Sequence, residues 1–352
     1  MDRRRRDVLE ALPVADDADV DLDLDRRRTL KFLAGGVGAV AAGKATDNVL
    51  LGYGVLAGTN LTEQDLAALA SSGFLSGRAV AATASGHWLV LADGTLVVKS
   101  PSGTELRRLQ VAETTPAEAR AVDDDLGLAG GPVGQAVADL RDVRAGDVTF
   151  AFSNYESFFE RVRAAEARPI TVGLARGEAG GADRAVVEKF TGADPTEPEA
   201  VIEGLVTGFR EYSGYDLERY AAGSIQDNVV FGLVDLRHYF ASDVDFRSVM
   251  AGDATGMFCY EFTQRSIEAL HAAGAVEQRS PVVGGSVWDR RHKHMYTAVA
   301  SAIREDGDLV VPVTFVDYTH STLYDDLHLR GVLGEGLEAY DDRHRATEIF
   351  WP

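Results

Sequence analysis

Between Gly256 and Asp317 the apolar pattern changes from a helical period to an alternating one. That order asks for a helix followed by a β-hairpin. Phe262, Ser266, Ala269 and Leu270 fall at helical spacing, and Gly274 stands where a C′ glycine would end the helix. Pro281–Val287 and Met295–Ala302 then read as strands, and Leu309–Val316 as a return strand behind the turn Glu305-Asp306-Gly307-Asp308. The fold class expected is α+β.

Three chemistry-bearing residues lie on this frame. Cys259 is the only cysteine in the 352 residues. It opens the helix, where the positive end of the helix dipole favours a thiolate. His294 opens one strand and Asp317 closes its neighbour, so imidazole and carboxylate can hydrogen-bond across the sheet. Thiol, imidazole and carboxylate are what cysteine-based acyl transfer needs. Each also has a plain structural reading: cysteine is often a buried filler, the histidine a satisfied one, the aspartate a strand-end residue. His292 rivals His294, but Tyr296 two residues on, on the same strand face, favours His294. A metal reading built on His292 and His294, with Asp289 or His320 recruited, lacks a third ligand at motif spacing.

Gly256-x-x-Cys259-x-x-Phe262, then His294-Met295-Tyr296-Thr297-Ala298-Val299, then Phe315-Val316-Asp317-Tyr318-Thr319, resembles the core of transglutaminase-like cysteine enzymes. The resemblance covers about 235–325. It implies a papain-like transglutaminase core, with a helix packed on an antiparallel sheet. It also implies Cys259 as nucleophile, His294 as general base and acid, and Asp317 as the orienting carboxylate. The chain would then act on amide or peptide bonds of a protein or peptide substrate through a thioester, as protease, amidase or transglutaminase, with no cofactor. Three departures are visible. Met257 and Phe258 both intervene between glycine and cysteine, Tyr296 stands where the family has Trp, and Tyr318 replaces the proline of Val-Asp-Pro-Thr. They motivate an alternative, a non-catalytic binding or cell-surface module on the same scaffold. Gln226 is a candidate oxyanion donor on residue type alone.

The rest of the chain divides at the proline-rich Asp194-Pro195-Thr196-Glu197-Pro198. Residues 196–352 form the expected transglutaminase-like domain, with helices at Glu199–Phe209, Tyr215–Ala222 and Gln226–Phe240. Residues 45–195 form a small α/β region without an assigned role. It opens with a helix at Thr62–Ala70, capped by Thr62, and a hairpin around Asp93-Gly94. After an Asp123–Pro132 loop come a helix at Val133–Val143, a strand at Asp147–Phe152, a helix at Tyr155–Ala167 and a strand at Pro169–Ala175. No nucleotide-binding glycine loop occurs there.

Residues 1–44 read as a disordered N-terminus followed by a twin-arginine-like export signal, from Arg26-Arg27-Arg28 to Ala42. It implies an extracellular or cell-surface location; the alternative is cytoplasmic. Its apolar stretch is too short to span a bilayer stably. The formal charge is -20, from 55 acidic and 35 basic residues, spread along the chain with little lysine. Such a surface suits high salt, where repulsion is screened within a few ångströms. The same charge excludes broad nucleic-acid binding. One cysteine excludes an intrachain disulfide, so cysteine usage does not indicate a redox compartment.

Overall fold

Asp93-Gly94 and Asp306-Gly307 both adopt left-handed backbone, with φ of 46° and 78° in the first pair and 52° and 97° in the second. A two-residue hairpin turn whose twist matches its strands needs that conformation. In the computed structural model, which describes residues 65–83, 85–213, 244–252, 256–290, 294–319 and 346–352, each pair turns between adjacent antiparallel strands.

The first described helix, α1 (Leu66–Ser71), is capped by the Asp65 carboxylate; Thr62 lies outside the described residues. A four-stranded antiparallel meander follows, made of β1 (Ala79–Ala82), β2 (Trp88–Ala92), β3 (Thr95–Lys99) and β4 (Glu105–Gln110). Leu89, Leu91, Leu96 and Val98 from the meander pack with Ala119, Val133, Val137 and Leu140 of the helix pair α2 (Pro116–Leu126) and α3 (Pro132–Ala145). The expected loop from Asp123 is therefore helical as far as Leu126. Thr115 and Glu118 form a capping box that starts α2. Asp123 turns inward, and its carboxylate accepts the Val133 and Gly134 N–H groups at 2.8 Å each. It caps α3, whose own N-cap, Gly131, has no side chain to do so.

The chain continues through β5 (Val148–Phe152), α4 (Tyr155–Ala164), β6 (Glu166–Ala167), α5 (Pro169–Ala175), α6 (Arg184–Thr191), α7 (Pro198–Tyr212), α8 (Phe246–Ala251) and α9 (Cys259–Leu270). The strands β7 (Val283–Asp289), β8 (His294–Ala300), β9 (Ile303–Glu305), β10 (Asp308–Val316) and β11 (Glu348–Phe350) close it. The second sheet runs in the order β11-β7-β8-β10-β9-β6, antiparallel throughout, with β5 joining parallel to β10. The architecture is α+β.

Two expectations are corrected here. Pro169–Ala175 is a helix, not a strand. Ile170 to Ala175 are all buried, so the run has no exposed face and no period to read. Pro169 at the first helical position is the local signal for a helix. The sheet also crosses the boundary expected at 194–198, because β5 and β6 lie before it and pair with β10 and β9. The described residues all belong to one compact unit. Asp139 of α3 helps to bind it together: its buried carboxylate receives Arg168, just before α5, and Arg304 of β9.

Helix α9 ends at Leu270 with His271 as its C-cap, before Gly274 is reached. The helices expected at Tyr215–Ala222 and Gln226–Phe240, and the export signal, lie outside the described residues. Among the described residues no helix is long and apolar enough to cross a membrane.

Candidate active site

The N-terminus of α9 is set by the residues just before the cysteine. Gly256 has φ 148°, a value that favours glycine. Met257 is fully buried in the core shared with Phe209 and Phe262. Phe258 is the N-cap, in extended backbone, and its N–H donates to the Glu261 carboxylate at 2.7 Å. The two residues between glycine and cysteine thus have separate tasks, one anchoring and one capping. Cys259 takes the first helical position and is partly exposed. Glu261 at N3 is the capping signal that the sequence carries for this helix start.

Helix α9 lies across β7 and β8. The Ser266 and Thr297 hydroxyls meet at 2.7 Å, and Ile267 rests against Gly284. Cys259 lies seven residues before Ser266, and His294 three residues before Thr297. Both steps are about 10 Å, at the rise of a helix and of a strand respectively. The tie between helix and sheet therefore brings Cys259 and His294 to the same end.

Val316 pairs with Thr297, so the next position, Asp317, falls opposite Tyr296. His294 is then the diagonal neighbour of Asp317 on one face. His294 Nε2 lies 2.7 Å from Asp317 Oδ2, and both side chains are buried. Asp317 Oδ1 accepts the Thr319 N–H at 3.0 Å, which fixes the carboxylate. The Cys259 side chain is near enough to the imidazole to help hold its positive charge. With Nε2 committed to Asp317, Nδ1 is the nitrogen left for the thiol. All three candidate residues are thus in one group.

Burial alone would discharge the His294 ring. The Asp317 carboxylate, by charge and by hydrogen bond, together with the Cys259 side chain, outweighs burial and raises the ring to about 10. The His294 ring stacks on Tyr296, with centroids 6.0 Å apart. Burial, then the charges of Asp289 and Asp317, holds the Tyr296 phenol well above its usual ionisation range. Asp289 is the cross-strand partner of His294 and is fully buried.

An expected result follows for titration. Imidazole NMR at pH 8 should show His294 protonated on both nitrogens, titrating near the value of about 10. Because the folded value lies above the unfolded 6.5, the associated stability is complete below that pH and is lost as pH rises toward about 10. A neutral His294 ring at pH 8 would contradict this assignment.

His292, His320 and Gln226 lie outside the described residues. Among the described residues no group of three His, Cys, Asp or Glu side chains is arranged to hold a metal ion. His271 is a second buried histidine, but its Nε2 accepts the Gly284 N–H at 3.0 Å. Burial and the nearby Arg176 keep it well below its usual range.

The chain matches no protein-family model, no curated protein and no solved structure.

Proposed function

We propose that this chain is a cysteine-dependent acyl-transfer enzyme acting on amide or peptide bonds, with a papain-like core of transglutaminase type. The observation that carries the proposal is the buried His294–Asp317 hydrogen bond at 2.7 Å, on a ring whose charge the Cys259 side chain also helps to hold.

The steps follow from the geometry. Cys259 Sγ attacks the amide carbonyl while the thiol proton resides on His294 Nδ1. The tetrahedral intermediate collapses, the C–N bond breaks, and the imidazolium delivers its proton to the departing amine. A thioester remains on Cys259. Water or a second amine then attacks it, His294 takes the proton, and the thiol is restored. Asp317 holds the ring by Nε2 and stabilises its cationic form throughout. Hydrolysis and transfer share the first half, and the acceptor decides the product.

The proposal extends to export. The twin-arginine-like segment would deliver an already folded, acid-rich enzyme to a salty exterior.

Cys259→Ala is the test, with peptide amides as substrates in concentrated salt. Turnover should disappear, and iodoacetamide should label Cys259 in the native wild-type chain. Turnover that survives the substitution, or a native thiol that never labels, would sink the proposal.

A further inference from the structure

Four large apolar side chains are prominently exposed among the described residues: Trp88, Tyr260, Trp288 and Phe350, at 40%, 42%, 42% and 48%. Three of them lie toward the end of α9 and of the second sheet that carries Cys259. Tyr260 precedes Ile267 by seven residues, two helical turns along one stripe of α9. Ile267 rests on Gly284 of β7, so that stripe faces β7. Trp288 is four residues beyond Gly284 and, by alternation, on the same sheet face. The step along the helix is about 10 Å and the step along the strand about 13 Å, both toward the end that holds His294 and Asp317. Phe350 of the edge strand β11 pairs with Ser286, which shares that face, and its ring lies 6.4 Å from Trp288. Phe258 backs Tyr260, with ring centroids 6.2 Å apart.

The chain carries a formal charge of -20. Salt strengthens apolar association, so an exposed aromatic group is a liability on a surface built for brine. At the end of the sheet that carries the one thiol, it has a use. We infer that Tyr260, Trp288 and Phe350 form a substrate subsite that receives a large apolar side chain close to the scissile amide. The inference rests on the acyl-transfer reading for its position and goes beyond it in naming the substrate class, a peptide with an aromatic or large aliphatic residue at the cleavage or transfer point. Aromatic rings stack on such side chains at little entropic cost.

The test uses the full chain carrying Cys259→Ala, in concentrated salt, titrated with acetyl-Gly-Phe-Gly-amide and acetyl-Gly-Gly-Gly-amide. The phenylalanyl peptide should bind about tenfold more tightly. Adding Trp288→Ala should erase the difference, and Phe350→Ser, on the edge strand, should do the same if the first variant folds poorly. Equal affinity for the two peptides, or a preference that survives both substitutions, would overturn the subsite. So would loss of self-association in Trp288→Ala with no peptide preference, which would assign the face to a second copy of the chain. The two readings fail separately. Selective binding without turnover by the wild type removes the acyl-transfer chemistry and leaves the subsite. Turnover without selectivity removes only the subsite.

Discussion

Asp317→Ala is expected to lower turnover of a peptide amide by roughly 10²–10⁴-fold, the range for losing an oriented general acid–base. The carboxylate does two things for His294. It accepts the Nε2 proton, so that Nδ1 faces the thiol, and its charge holds the ring in its cationic form. Alanine removes both and leaves a buried ring nitrogen without its acceptor. Asp317→Asn should cost less, because an amide oxygen can still accept the Nε2 proton while supplying no charge. The two variants therefore separate orientation from electrostatics. The kcat of each, with the imidazole spectrum of His294 recorded alongside, makes the comparison. An alanine variant within tenfold of wild type would show that the pairing is structural only.

Asp139→Ala is expected to destabilise the fold by about 3 kcal/mol, the lower end for breaking a buried ion pair. Asp139 is fully buried and accepts from Arg168 at 2.8 Å and 3.2 Å, from Arg304 at 2.5 Å and 3.1 Å, and from the Thr171 hydroxyl at 2.5 Å. The lower end applies because each arginine retains a second carboxylate, Glu166 for Arg168 and Asp142 for Arg304. The network joins α3 of the first helix pair to β9 of the second sheet. Its loss should lower the urea midpoint with little change in slope. The loss should also persist in concentrated salt, since a buried pair is poorly screened. Exposed pairs such as Arg184–Glu277 should behave oppositely and matter little in any salt. A midpoint for Asp139→Ala equal to wild type would contradict this role.

The elements that carry the site were legible because their signals are local. The stripe of Phe262, Ser266, Ala269 and Leu270 gave α9. Alternation and Asp306-Gly307 gave the strands that bear His294 and Asp317. Elsewhere the deciding contacts are distant in sequence. The triplet Asp123-Asp124-Asp125 looks like a solvated loop, yet Asp123 is buried and caps another helix. The run Pro169–Ala175 is buried all round, so helix and strand leave the same apolar trace. The parallel pairing of β5 with β10 joins residues about 160 apart, and no local pattern announces it. In the site, residue types and order were readable from the chain. The distance from His294 to Asp317, and the tie between Ser266 and Thr297 that carries Cys259 to them, depend on packing.

The most direct test is the intact mass of the wild-type chain, quenched in acid within the first turnover of an activated peptide ester. An added acyl group should map to Cys259. It should fail to accumulate in Cys259→Ala and form far more slowly in His294→Ala. A chain that shows no adduct, or that forms one equally fast without His294, would contradict the thioester mechanism.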